Sequence, residues 1–334
     1  MAQNAGEAGP EQNGVRNRKL NADQPLVSVV ILYYKRRETI EESVNSVLTQ
    51  DYPNIELIVV DNHSEDDVQA VIEQRGARVK LIQLAENIGA CGGRNAGLRA
   101  SHGEIVVFLE DDVKLLSSFE ISKMMNMFDT HPNIHVLAFQ VCDPDTGKLR
   151  LREWCHPRNW KEHSESEFET TWFGEGASAF RREALDACGG YYEPLFYGAE
   201  GDDLVVRLFN HGFHILHAPQ VRVGHRASET GRSSYRQYYY FTRNYFWMAY
   251  KDFPFFAGIR YLIPKIGMMG LFALRSGAFK TFLRGAWDGI AGLKKIRADR
   301  TPANRLALEY LRQLEKWRPN VFVRLSRHRE APQI

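Results

Sequence analysis

A chain of 334 residues is long enough to bury one sizeable core and carry an appendage, and its 44% hydrophobic and 25% charged residues are ordinary for a soluble globular protein. Its four cysteines, Cys91, Cys142, Cys155 and Cys188, show no Cys-x-x-Cys spacing, which argues against a zinc site or a disulfide framework and suits a reducing cytoplasm. The net charge of +2 hides an asymmetry: from Lys251 onward 17 Lys/Arg face 6 Asp/Glu, a balance of +11, while the rest of the chain carries −9.

In chain order, residues 1–24 are polar and rich in Gly, Asn and Gln, with no apolar stretch fit for a signal peptide, and read as a disordered tail. The run "VSVVILYY", Val27 to Tyr34, predicts a buried strand, and Ile40, Val44, Val47 and Leu48 at helical spacing predict a helix over Glu38 to Gln50. A second strand is expected over Ile55 to Asp61, then a helix over Val68 to Gly76 that ends in glycine. Next come a strand over Val79 to Leu84, a helix over about Gly92 to Ala100, and a strand over Glu104 to Leu109. Strands alternating with helices imply an α/β fold, a mostly parallel sheet flanked by helices, with ligands beyond the carboxyl ends of the strands.

Two of those strand ends are acidic. One ends at Asp61 and another runs into Glu110, Asp111 and Asp112. Three adjacent carboxylates repel one another and raise their own pKa values unless a cation or several donors compensate. A lone Asp after a strand can simply cap the next helix, but a triplet calls for a divalent cation with oxygen ligands, Mg²⁺ or Mn²⁺, which leaves coordination positions for substrate phosphates.

The stretches "VSVVILYYKRRETIEESVNSVLTQDYPNIELIVVDNHSED", "NIGACGGRNAGL" and "GEIVVFLEDDV" together resemble the family 2 inverting glycosyltransferases of GT-A fold, and the similarity runs in order over about residues 25–225. The resemblance implies a nucleotide-sugar half over 25–113, an acceptor half over 114–225 and, beyond them, a basic, aromatic-rich helical region over 226–334. It places Tyr33, Arg36 and Glu38 where the first strand opens onto the nucleotide, and Asp61 where a carboxylate holds the base. Asn87, Gly89, Gly93, Arg94 and Asn95 match the segment beneath the nucleotide, where an arginine suits a diphosphate. Glu110 and Asp111, with Asp112 as the direct metal ligand, occupy the place of the family's Asp-x-Asp motif, and His225 matches a histidine that in part of the family binds metal or diphosphate.

In the acceptor half, Trp172, Gly174 and Gly176 sit where a loop admits the acceptor. The run Glu200, Gly201, Asp202, Asp203, Leu204 resembles the motif that carries the catalytic base, but with glycine in place of the usual aspartate. Either Glu200 or Asp202 is then a candidate base, with Asp203 orienting the helix or Arg207. The resemblance implies a donor that is a nucleotide diphosphate sugar, an acceptor that is a saccharide or a lipid-linked saccharide of envelope polysaccharide synthesis, and one direct displacement with inversion. A sugar nucleotidylyltransferase would instead place a glycine-rich phosphate loop after the first strand, where Tyr33-Tyr34-Lys35-Arg36 stand. A non-catalytic sugar-binding relative finds support only in Gly201.

Beyond His225 the chain is aromatic and apolar but interrupted by Arg243, Lys251, Arg260, Lys265 and Arg275, so no window offers the roughly 18–20 clean apolar residues of a membrane span. Helices packed on the catalytic domain are one reading. Helices lying on an anionic membrane are the other, with Trp247, Phe253, Phe255, Phe256, Leu262, Met268, Met269, Leu271 and Phe272 as the interfacial residues of a peripheral protein on the inner face of the cytoplasmic membrane. No recognised nucleic-acid module accompanies the arginines, and the sequence leaves the oligomeric state open.

Overall fold

The computed structural model describes residues 24–226 and 234–318, so the tail expected over residues 1–24 lies, but for its last residue, outside the described residues. The strands are β1 (Val27–Tyr33), β2 (Ile55–Asp61), β3 (Val79–Gln83), β4 (Ile105–Glu110), β5 (Val113–Leu115), β6 (Val136–Cys142), β7 (Phe168–Glu169), β8 (Ala177–Arg181) and β9 (Ile215–His225). They form one sheet in the order β3-β2-β1-β4-β8-β6-β9-β5, with β7 paired to β9. The helices are α1 (Arg37–Leu48), α2 (Val68–Glu73), α3 (Gly89–Ala100), α4 (Glu120–Thr130), α5 (Trp160–His163), α6 (Arg182–Cys188), α7 (Glu200–Asn210), α8 (Ser234–Lys251), α9 (Phe255–Arg275), α10 (Phe279–Ala291) and α11 (Arg305–Glu315).

The parallel block β3-β2-β1-β4 follows from residues that are apolar on both strand faces. Val27, Val29, Ile31 and Tyr33 of β1 join a core with Ile40, Val44 and Val47 of α1, while Val30 and Leu32 face the other way, into the core beneath α3. Gly93 and Gly97, one helical turn apart, let α3 press onto β1: a Cβ on Gly93 would lie 2.4 Å from Leu32 Cδ1, and one on Gly97 would lie 2.2 Å from Val30 Cγ1. Beyond β4 the sheet turns mixed, because β8 enters antiparallel to both β4 and β6.

Register fixes where the site must be. Tyr33 pairs with Asp61 and Leu32 with Glu110, so β1, β2 and β4 end at one rim. Antiparallel pairing of Val113 with His225 brings the end of β9 to the same place.

The carboxyl-terminal helices are tied to this body by polar anchors. Asn244 of α8 donates to the carbonyls of Leu195, Tyr197 and Gly198 at 3.1, 2.9 and 2.6 Å, and Lys265 of α9 pairs with Asp202 of α7 at 2.6 Å. That second contact changes how α9 reads. The sequence leads one to expect no clean apolar span there, yet Phe255–Arg275 is a continuous helix of 21 residues that is long and apolar enough, by length and composition, to cross a membrane, and only 11% of its most apolar 18 residues is buried. Its lysine is drawn to the acidic body. Trp247 and Phe253, expected at a membrane interface, are instead buried.

Candidate active site

The three carboxylates at the end of β4 are compensated by two arginines, Arg36 shared between Asp111 and Asp112, and Arg94 on Glu110. Tyr34 N donates to Asp111 Oδ2 at 2.8 Å, and Arg36 Nη1 donates to Asp111 Oδ1 at 2.8 Å and to Asp112 Oδ2 at 2.9 Å. Burial still pushes Asp111 up to about 7, with the Arg36 guanidinium pulling the other way. Glu110 turns to Arg94, which donates from Nη2 at 2.8 Å. His225 Nε2 lies 3.4 Å from Asp112 Oδ2, and its Nδ1 is 2.7 Å from Glu153 Oε2. Burial alone would lower this imidazole; the hydrogen bonds to Asp112 and Glu153 prevail and bring it up to about 9.

One ligand atom each from Glu110, Asp112 and His225 lies within 4.8 Å of the others. Two carboxylates and one imidazole, the imidazole oriented through its second nitrogen by Glu153, are a donor set that fits Mn²⁺ or Mg²⁺ with positions left for substrate oxygens. Glu153 gives no signal in the sequence, because it ends a single 3-10 turn, Leu151–Glu153, that meets β9 only in three dimensions.

The cleft beside this cluster is lined by Tyr34, Arg36, Asn62, Asn87, Gly89 and Glu110 on one side, and by Glu175, Phe196, Glu200 and Arg236 on the other. Several expected residues stand elsewhere, each for a physical reason. Tyr33 points into the core beneath α1 because β1 alternates faces, and Tyr34 takes the cleft position in its stead. Glu38 is exposed in the first turn of α1. Asp61 is buried and accepts from Ser64 N at 2.8 Å, whereas its neighbour Asn62 faces the cleft and accepts from Ile88 N at 3.0 Å. Asn87 accepts from Gly89 N at 2.9 Å and from Asn62 Nδ2 at 3.2 Å. Gly89, at φ +78°, is the one place where α3 requires glycine for its backbone, and an added Cβ would also meet Phe196 O at 2.3 Å.

Arg94, expected against a diphosphate, lies under the floor. Its side chain is 1% exposed and is shared between Glu110 and Glu200, at 2.8 and 3.3 Å, with the Tyr191 ring at 5.4 Å. Asn95 does not reach the cleft either: its amide donates to Tyr191 O at 2.8 Å and Glu193 Oε1 at 3.0 Å, pinning the loop before α7.

On the opposite wall, α7 separates the three acidic residues of its first turn. Glu200 faces the cleft, where burial raises it and Arg94 opposes. Asp202, two residues on, points to Lys265 and a different groove, as residues i and i+2 of a helix cannot share a face. Asp203 is buried between Arg207 Nε at 2.8 Å and Lys251 Nζ at 2.7 Å, which makes it a joint between α7 and α8. Trp172 packs edge-on against His156 with ring centroids 4.8 Å apart. Gly174 bridges to Ala177, and Gly176 makes room for Glu110, whose Cγ would lie 2.5 Å from a Cβ there. Those three residues shape the loop between β7 and β8. The side chain that this loop offers to the cleft is Glu175, unremarked in the sequence because a single glutamate between glycines carries no spacing signal.

Residues 28–189 match the model of Glycosyl transferase family 2. The chain is 27% identical over 282 residues to N-acetylgalactosaminyltransferase 6 of Drosophila melanogaster, which covers 73% of this chain and 41% of that protein. It is 28% identical over 199 residues to the GalNAc(5)-diNAcBac-PP-undecaprenol beta-1,3-glucosyltransferase of Campylobacter jejuni, over 58% of this chain and 62% of that one. The chain thus spans less than two thirds of the length of either relative. Among solved structures it is similar to the mannosyltransferase PcManGT from Pyrobaculum calidifontis in complex with GDP-Man and Mn²⁺, with a TM-score of 0.55 and 20% identity over 87% of this chain and 80% of that one. Residues 28–189, just under half of the chain, are thus similar to glycosyl transferase family 2, and the helix-flanked sheet has the GT-A fold of these structures.

Proposed function

We propose that the protein transfers a sugar from a nucleotide diphosphate sugar to a hydroxyl acceptor, with inversion, at a divalent cation held by Glu110, Asp112 and His225. The observation that carries this reading is the convergence of those three donors within 4.8 Å at the rim where β1, β2 and β4 end. When bound, the cation would neutralise the charge that develops on the diphosphate leaving group. The chain's own residues do the rest. Arg36 fixes Asp111 and Asp112, Glu153 orients His225, and Arg94 pairs with both Glu110 and Glu200 from beneath the floor. Asn87, braced by Asn62, offers its amide nitrogen to the nucleotide side of the cleft, and Arg236 offers a cation from α8. The relatives support the donor class: the similar mannosyltransferase holds GDP-Man and Mn²⁺. Melting of the protein with UDP, GDP and their sugars, each with and without Mn²⁺, tests the reading, since a ligand at a hundredfold excess over its Kd stabilises the native state by roughly 2.7 kcal/mol. The expected result is a rise in Tm with one nucleotide series that requires Mn²⁺, together with slow release of nucleotide diphosphate from its sugar. No shift and no turnover with any of them would refute it.

The acceptor is proposed to be a lipid-linked saccharide reached from the inner face of the cytoplasmic membrane. Among the described residues, ten of the fourteen large exposed apolar side chains lie on α9 and α10. On α10, Phe279, Leu283, Trp287 and Ile290 recur at the spacing of a single helical stripe, and Phe255, Phe256, Ile259, Ile263, Leu271 and Leu274 fall on one side of α9. The +11 balance from Lys251 onward would draw this surface to anionic headgroups, each lysine or arginine contributing about 1 kcal/mol close to them. The Campylobacter relative is named for an undecaprenol-linked saccharide, which agrees with such a placement. In co-sedimentation with vesicles, binding is expected to anionic lipid at low salt, to weaken at high salt, and to fall at least tenfold in Phe256→Glu/Trp287→Glu. Equal, negligible binding under all conditions would leave α9 and α10 as packing elements.

A further inference from the structure

We infer that Glu175, from the loop between β7 and β8, is the catalytic base; the inference rests on the transferase reading above. A base for this displacement must be a carboxylate that faces the cleft and is not already held by a cation. Four carboxylates line the cleft: Glu110, Asp111, Glu175 and Glu200. Glu110 and Glu200 share Arg94, and Asp111 is bound by Arg36. Glu175 alone of the four makes no salt bridge among the described residues; it accepts a hydrogen bond from a backbone amide, Gly201 N, at 3.2 Å to Oε1.

That contact explains the odd glycine in α7. A Cβ on residue 201 would sit 2.5 Å from Glu175 Oε1 and 3.1 Å from its Cδ, so the Glu175 carboxylate fills the space into which a side chain at 201 would project. Where the sequence resemblance leads one to expect an aspartate on α7, the chain has removed the side chain and supplied a carboxylate from the neighbouring loop. The amide at 201, in the first turn of α7, fixes one carboxylate oxygen and leaves the other to take a proton. Burial, with the charge of Glu200 added and Arg94 opposing, raises Glu175 to about 8, close to the pH at which a base can accept and later release a proton.

In the step, an acceptor O–H gives its proton to a Glu175 oxygen while the acceptor oxygen's electron pair forms the bond to the anomeric carbon. The bond from that carbon to the β-phosphate oxygen breaks, and its pair leaves with the nucleoside diphosphate. Glu175 ends as the neutral acid and returns the proton to water.

The test uses the full chain with UDP- and GDP-sugars, Mn²⁺ and water as acceptor, and follows release of the nucleotide diphosphate. Glu175→Gln keeps an oxygen for the Gly201 amide but cannot accept the proton, so turnover is expected to fall about 10²–10⁴-fold, with the Tm rise on UDP or GDP plus Mn²⁺ unchanged. Glu175→Ala should be equally slow, and Glu175→Ala/Gly201→Asp, which returns a carboxylate to the same space from α7, should recover at least tenfold over Glu175→Ala, a gain that a merely structural role would not give. Turnover of Glu175→Gln within threefold of wild type would overturn the assignment and leave the transferase reading standing. A wild-type protein that turns over no nucleotide sugar would overturn both.

Discussion

Asp112→Asn is expected to lose roughly 10²–10³-fold or more in turnover, and a chelator should silence the wild type until Mn²⁺ or Mg²⁺ is restored. The expectation follows from how the β4 terminus is charged. Arg36 supplies one positive charge to two carboxylates, Asp111 and Asp112, while Glu110 draws on Arg94. A cation at the proposed Glu110, Asp112 and His225 site would complete the balance, and Asp112 is the member that touches both Arg36 and His225. The amide in Asp112→Asn keeps the shape and a carbonyl oxygen for Arg36, so the fold should persist, with a stability change small beside the kinetic loss. Mn²⁺-dependent stabilisation by nucleotide should vanish along with turnover. Full wild-type activity in excess chelator would show that the cluster is a structural ion-pair network and that the leaving group is stabilised by the chain's cations alone.

How much of this was legible in the sequence depends on how local each determinant is. The strands β1 to β4 fall within about one residue of their expected limits, because strands buried on both faces read as unbroken β-branched runs. The acidic rim was legible for the same reason: once the sheet is parallel, strand ends dictate what projects there. What failed was the direction of individual side chains. A shift of one residue exchanges Tyr33 for Tyr34 and Asp61 for Asn62 at the cleft, and a periodic argument needs the face as well as the period. The split of Glu200 from Asp202 follows from helix geometry, but only once α7 is known to begin at Glu200. Glu153 and Glu175 were out of reach, since each acts on a residue in another element, His225 and Gly201, through contacts that no local pattern encodes. The exposed stripe on α9 was concealed in part by Lys265, which the fold turns toward Asp202.

Arg94→Met is expected to destabilise the protein by about 3–5 kcal/mol, the cost of leaving buried charge without its partner. The methionine can fill much of the space against the Tyr191 ring, so the loss would be electrostatic more than steric. Glu200, 6% exposed, and Glu110, 31% exposed, would then face each other with no cation between them, and Glu175 lies on the same wall. Glu110 can turn to water; Glu200 cannot, and should take up a proton instead. The double variant Arg94→Met/Glu200→Gln removes the stranded charge together with its partner, and is expected to recover most of the stability while turnover stays low, because Glu110 would still lack the donor that holds it beside Asp112. Denaturant midpoints for the two single variants and the double variant form a cycle whose coupling term should amount to about 2–3 kcal/mol. A single variant within about 1 kcal/mol of wild type, or a double variant no more stable than Arg94→Met, would mean that the floor of the cleft is held by its apolar packing and that Arg94 is not the charge that lets so many carboxylates share one site.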